Sequence, residues 1–238
     1  MAYPLIGGEP RVVLTGLTVA LFFAASVVHA LITRGPAWTV LLVLVTGGGG
    51  LVAEAVGLRT GLPFGSYRYG PALGPAVLSV PIVVPLAWTM MAYPAHVIAA
   101  RLVHGRIARV LVGGWALAAW DLFLDPQMVA AGNWRWQHPA VTLPGNPAVP
   151  LGNYLGWLVV ATAMMGLLVA GAAAVRERPA SRDGAPIALY LWTYFSSVLA
   201  HGAFFHLPWS ALWGGVIMGC VAVPLARSLL VRRTTCAR

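Results

Sequence analysis

Lysine is missing from this chain altogether, and acidic residues number only six in 238. The missing amine excludes chemistry that runs through a lysine Schiff base, retinal photoreception included. Charged residues are also scarce, at 9% against the roughly 25% of soluble domains. A water-soluble globular class is thereby set aside. Two cysteines, Cys220 and Cys236, make neither a disulfide framework nor a zinc pattern, and no HExxH run occurs. No metal is expected. The formal charge of +9 comes from arginines scattered between apolar runs rather than gathered on one face. Nucleic acid is therefore not an expected partner, and membrane topology accounts for the charge better.

What is abundant is apolar. Hydrophobic residues make up 59% of the chain, with 10 tryptophans. A bilayer core takes about 20 apolar residues per helix. On that measure seven candidate spans run at roughly 12–32, 37–56, 78–99, 107–124, 153–175, 186–205 and 209–230. The fourth is short and the sixth polar for its class. The fold expected is an all-α polytopic transmembrane helix bundle of about seven spans, one domain over 1–238, multi-pass in the cell membrane with membrane lipid around it. The first apolar run reads as a span, not a cleavable leader.

Arginine counts set the orientation. The segments after spans one, three, five and seven hold Arg34, Arg101, Arg106, Arg109, Arg176, Arg178, Arg182, Arg227, Arg232, Arg233 and Arg238; the other side holds Arg11, Arg59, Arg68 and Arg135. The positive-inside rule places the N-terminus outside and the C-terminus in the cytoplasm. Glu54, Asp121, Asp125, Asn153, Tyr154, His201 and His206 then fall toward the outer end of their spans. Two loops at about 57–77 and 125–152, rich in Gly, Pro, Trp and Tyr, lie at that same end. An ionisable side chain inside a span marks a functional site by default.

Asp121 and Asp125, four residues apart, share a helix face. Two carboxyls closing in a dry site cannot both ionise cheaply, so one proton shared by the pair is expected. Such a pair presents a carboxylic acid, able to protonate something weakly basic and apolar. An isoprenoid alkene fits, giving a tertiary carbocation that ring faces stabilise by roughly 0.5–2 kcal/mol each. Trp120, Trp134, Trp136 and Tyr154 are the candidate rings. Glu54 or His201 could help water to add, and no cofactor is needed. The same residues permit a proton or ion relay, and the rings alone permit a binding protein. Trp88 and Tyr93 could belong to the lining or merely to packing. Glu54 could instead pair with Arg59 or Arg68 at the interface.

The stretches "EAVGLRTGLPFGSYRYG" (Glu54–Gly70), "VPIVVPLAWTMMAYPA" (Val80–Ala95), "WDLFLDPQMVAAGNWRW" (Trp120–Trp136) and "VPLGNYLGW" (Val149–Trp157) together resemble an integral-membrane carotenoid biosynthesis family. Its named members are carotenoid 1,2-hydratases, acting on bisanhydrobacterioruberin or as γ-carotene 1′-hydratases. The resemblance implies hydration of the C1–C2 double bond of an acyclic ψ end, on a C40 or C50 carotenoid. It also implies contact with other carotenoid-pathway enzymes. Its blocks carry Glu54, Arg59, Tyr67, Trp88, Asp121, Asp125, Trp134 and Asn153. Combined with the chemistry above, Asp121 or Asp125 is the expected acid and Glu54 the residue that handles water. Arg59 or Arg68 would position Glu54, with Tyr67 in support. Trp88, Tyr93, Trp120, Trp134, Trp136, Asn153, Tyr154 and His201 would line the substrate slot. A polyene is longer than a pocket is deep, so entry sideways from lipid is expected.

Overall fold

The computed structural model describes residues 5–175 and 183–236. Of the arginines used for sidedness, Arg176, Arg178, Arg182 and Arg238 lie outside that range. The helices are α1 (Gly8–Arg34), α2 (Pro36–Leu42), α3 (Gly49–Thr60), α4 (Val83–Leu102), α5 (Arg106–Ala118), α6 (Asp121–Ala130), α7 (Leu151–Ala174), α8 (Gly184–Ala203) and α9 (Pro208–Cys236). A π-helical stretch, Val43–Gly48, joins α2 to α3 into one rod, and α5 and α6 follow each other with a break at Ala119–Trp120. Six helical rods among the described residues are long and apolar enough to cross a membrane. The polytopic all-α bundle read from composition is thus present. The sixth expected span does form a helix, α8, but it is not one of those six: its tyrosines, serines and His201 dilute its hydropathy.

Two prolines inside helices, Pro94 and Pro126, are reconciled by serines from neighbours. A helical proline leaves the carbonyl four residues earlier without its N–H. Pro94 in α4 orphans Met90, and the Ser26 hydroxyl of α1 donates to that oxygen at 3.0 Å. Pro126 in α6 orphans Leu122, and Ser210 of α9 donates there at 2.6 Å. Both serines are buried. Each repair satisfies a group that lipid could not, and pins one helix to another. It also explains why α6 runs through Pro126 to Ala130, past the end of the span expected at 107–124.

Span three begins later than its hydropathy suggested. Residues 76–81 form a small hairpin, β2 (Ala76–Val77) against β3 (Val80–Pro81), turned by Leu78 and Ser79 at φ 52° and 68°. Positive φ at both central residues is the geometry of a tight two-residue turn. Apolar residues raise a hydropathy window equally in strand and helix, so the start could not be separated from sequence.

The two long loops meet over one end of the bundle. β1 (Tyr67–Tyr69) pairs antiparallel with β4 (Trp134–Trp136), with Tyr67 opposite Trp136, Arg68 opposite Arg135 and Tyr69 opposite Trp134. Strand alternation sends four rings to one face and both arginines to the other. A third hairpin, β5 (Thr142–Leu143) with β6 (Asn146–Pro150), leads into α7. Helix α4 is the inner post, burying every residue from Trp88 to Ala99 against α1, α5, α8 and the π-helical stretch.

Candidate active site

Glu54 sits midway along α3, buried at 4% exposure. Trp88 Nε1 donates to its Oε1 at 3.1 Å, Tyr69 Oη donates to Oε2 at 2.8 Å, and Tyr67 Oη donates to the same oxygen. Burial, then the adjacent Glu54, raises the pKa of both phenols above its ordinary value, so each keeps the proton it donates. Three donors aimed at two oxygens suit the carboxylate form. Among the described residues no arginine or histidine forms an ion pair with it. The pairing with Arg59 or Arg68 expected from the sequence does not occur. Arg59 is exposed, and Arg68, on the outer face of β1, has its Nε 3.0 Å from the Gln137 amide. The two phenols reach Glu54 because the face of β1 that carries them points inward, and the indole comes from Trp88 on α4.

Asp121 and Asp125 lie on one face of α6, both essentially fully buried. Asn153, near the start of α7, joins them: its Nδ2 donates to Asp121 Oδ2 at 2.8 Å and also to Asp125 Oδ2. An amide nitrogen has two hydrogens, so one goes to each carboxyl. Trp134 Nε1 donates to Asp125 Oδ1 at 3.1 Å. Asp121 Oδ1 is buried with no N–H or O–H pointed at it, and the two carboxyls are within hydrogen-bonding reach of each other. Carboxyl groups can bond to one another only through a proton held by one of them.

Between these two groups stands a set of rings. Trp88 and Trp157 stack with centroids 3.9 Å apart and planes at 13°, and Trp120 meets Trp157 edge-on at 6.3 Å. The stack depends on Gly50: a Cβ there would lie 2.8 Å from Trp88 Cγ and Cδ1. Gly50→Ala is expected to displace Trp88 and destabilise the protein by about 1–3 kcal/mol. Thermal unfolding in detergent checks this, and an unchanged melting temperature would contradict the packing described. Gly156 plays a similar part for the lid, the two loops paired through β1 and β4, since a Cβ there would sit 2.7 Å from the Pro63 carbonyl.

All three groups open onto one cavity of about 690 Å³, within the roughly 300–1,000 Å³ usual for small-molecule sites. Glu54, Asp125, Asn153, Tyr67, Trp88, Trp120, Trp134 and Trp136 line it; Asp121 stands behind Asp125 and Asn153 and does not. Tyr93 is elsewhere: its hydroxyl is 2.7 Å from His29 Nδ1, in a second buried cluster with Trp38 and Thr33. Tyr154 is also outside the lining, beside Asn146. His201 is buried behind the wall, its Nε2 3.1 Å from Gln127 Oε1 and its Nδ1 2.9 Å from Ser210 Oγ. Sequence reasoning missed Tyr69 as a Glu54 donor and Trp157 as the stacking partner. Both had a signal: Tyr69 shares a strand face with Tyr67, and Trp157 is four residues from Asn153 on α7. Among the described residues, no three His, Cys, Asp or Glu side chains gather as a metal ion would require.

A sequence family described as carotenoid biosynthesis protein matches residues 14–201. The chain belongs to that family. The match contains all four sequence blocks, the lid, and every side chain of the two carboxyl groups and the ring stack; Ser210 lies beyond it. One relative is a bisanhydrobacterioruberin hydratase of Haloarcula japonica, 36% identical over 111 residues, which are 44% of this chain and 36% of the relative. The alignment thus spans little more than a third of that protein. No solved structure matches the chain.

Proposed function

We propose that this membrane protein is a carotenoid 1,2-hydratase, adding water across the C1–C2 double bond of an acyclic ψ end. One observation carries the reading: the Asn153-bridged pair of buried aspartates, through Asp125, and the buried Glu54, held by neutral donors, open onto the same aromatic-lined, largely apolar cavity. Family membership and the relative's name support it.

Asp125, the member of the pair in the lining, gives its proton to C2. The π electrons form the new C–H bond and leave a tertiary cation at C1. The faces of Trp88, Trp120 and Trp157 stabilise that cation, and Glu54 supplies the opposite charge. A preorganised charge of this kind acts most strongly where water is excluded. Water then bonds through oxygen to C1, and its surplus proton returns to the Asp121–Asp125 pair, restoring the acid. The cycle consumes one water and needs no cofactor. Asp121 and Asn153 act through Asp125, holding its proton and its orientation.

The protein is read as one domain over 1–238, multi-pass in the cell membrane, with the lid end outside and the C-terminus in the cytoplasm. Lipid and other carotenoid-pathway enzymes are its partners, and the substrate is an acyclic C40 or C50 carotenoid. The test is expression in a host that accumulates an acyclic carotenoid, with pigments read by mass. Pigment heavier by the mass of one water is expected. Unchanged pigment from well-expressed protein would reject the reaction.

A further inference from the structure

The cavity does not end at the carboxyl groups. It continues toward α1 and α8, where Thr15, Thr18, Trp192, Ser196 and Leu199 form its walls. Thr18, Trp192 and Leu199 are exposed on the outside of the bundle, the side a membrane would cover. Helix α1 packs mainly on α4, and α8 on α9 and α4, so the two walls meet each other only sparingly. They are joined at their two ends. Where α1 stops and α8 starts, Arg34 Nη2 donates to both Asp183 oxygens at 2.9 and 3.0 Å. At the lid end, the Arg11 guanidinium lies over the Phe205 ring, 5.6 Å from its centroid. Between the two ties is a side window.

The walls of that window are hydrocarbon in effect. Thr15 and Thr18 turn their hydroxyls onto their own helix, donating to the Arg11 and Leu14 carbonyls at 2.8 and 2.7 Å. A chain lying there meets mainly methyl groups and rings, with Ser196 and Ser197 the small polar side chains of the α8 wall. It meets charge only where the cavity reaches Asp125 and Glu54.

We infer that the α1–α8 window is a lateral portal that seats the polyene chain of the substrate, so that only its terminal isoprenoid unit reaches the carboxyl groups. This rests on the hydratase reading for the identity of the occupant. It adds a restriction: a long hydrocarbon is taken end-first from lipid, and the portion beyond the window stays in the membrane. Continuity with the carboxyl site argues against a lipid acyl chain as the resident, since the deep end offers an acid and an anion to whatever enters.

The test fills the window with Ser196→Trp on the purified full-length protein, with Phe195→Trp as control. Phe195 is exposed on the same helix and is not part of the wall. Binding of an acyclic C40 polyene is read from its visible absorption and induced circular dichroism. Hydration is read by mass, for that polyene and for a short acyclic isoprenoid with the same end group. Ser196→Trp is expected to weaken polyene binding and turnover about tenfold or more, the scale of misplacing a substrate by an ångström or so. Turnover of the short compound should stay near wild type, and the control should alter nothing. Equal loss with both compounds, no loss at all, or competition only by phospholipid would overturn the portal. Wild-type protein that binds the polyene through this window but hydrates nothing would leave the portal standing and remove the reaction. Wild-type protein that binds no polyene removes the portal as well.

Discussion

Asparagine in place of Asp125 is expected to reduce hydration by roughly 10²–10⁴-fold, the usual contribution of a positioned acid. The substitution is close to isosteric. Its carbonyl oxygen can still accept from Trp134 or Asn153, so the cavity wall should hold. What it removes is the transferable proton. Asp121→Asn should also abolish product, by a different route. Asp121 does not line the cavity; in the proposed mechanism its carboxyl shares the proton that Asp125 gives up and takes it back after water adds, which an amide cannot do. Product formation by both variants, measured by mass alongside polyene binding, separates chemistry from collapse. Near-normal hydration by Asp125→Asn would end the acid assignment. Near-normal hydration by Asp121→Asn would show that the pair does not act as a unit.

Glu54→Gln is expected to lower turnover by about 10²–10³-fold, the loss seen when one preorganised charge-stabilising group is removed. The amide keeps the size of the side chain and loses the charge facing the cation. It also turns an N–H₂ toward Trp88 or the tyrosines, groups that now donate to an oxygen. A buried donor left unmatched costs about 1–3 kcal/mol, so a lower melting temperature should accompany the lost activity. The two effects come apart by measurement. A variant that melts early but turns over normally would make Glu54 a structural anchor for the lid. A folded variant with intact binding and lost turnover supports the counter-charge role.

Much of the fold was legible before any coordinates. Apolar runs of bilayer length mark their own helices, because a spanning segment must satisfy its backbone internally. Errors came where that logic says nothing. The 76–81 hairpin is as apolar as the helix it precedes. The span expected at 107–124 stopped short of Pro126, where the helix continues because Ser210, 84 positions away along the chain, repairs the break. The pairing proposed for Glu54 followed charge and proximity in sequence. The structure instead spends Arg59 and Arg68 on the outer surface, and satisfies Glu54 with the Trp88 indole of α4 and two phenols from a strand that sequence did not predict.

The chain's own letters decided that this is a membrane bundle, that two carboxyls share one face of a helix, and that a family pattern runs through four blocks. These are consequences of local periodicity and composition, which act within a few turns of chain. Only the tertiary structure decided that Asn153 bridges the aspartates, that Trp157 rather than Tyr93 joins Trp88, and that the cavity leaves the bundle between α1 and α8. Those facts depend on which faces meet among helices far apart in sequence, and packing of whole surfaces selects that, not any single residue's preference.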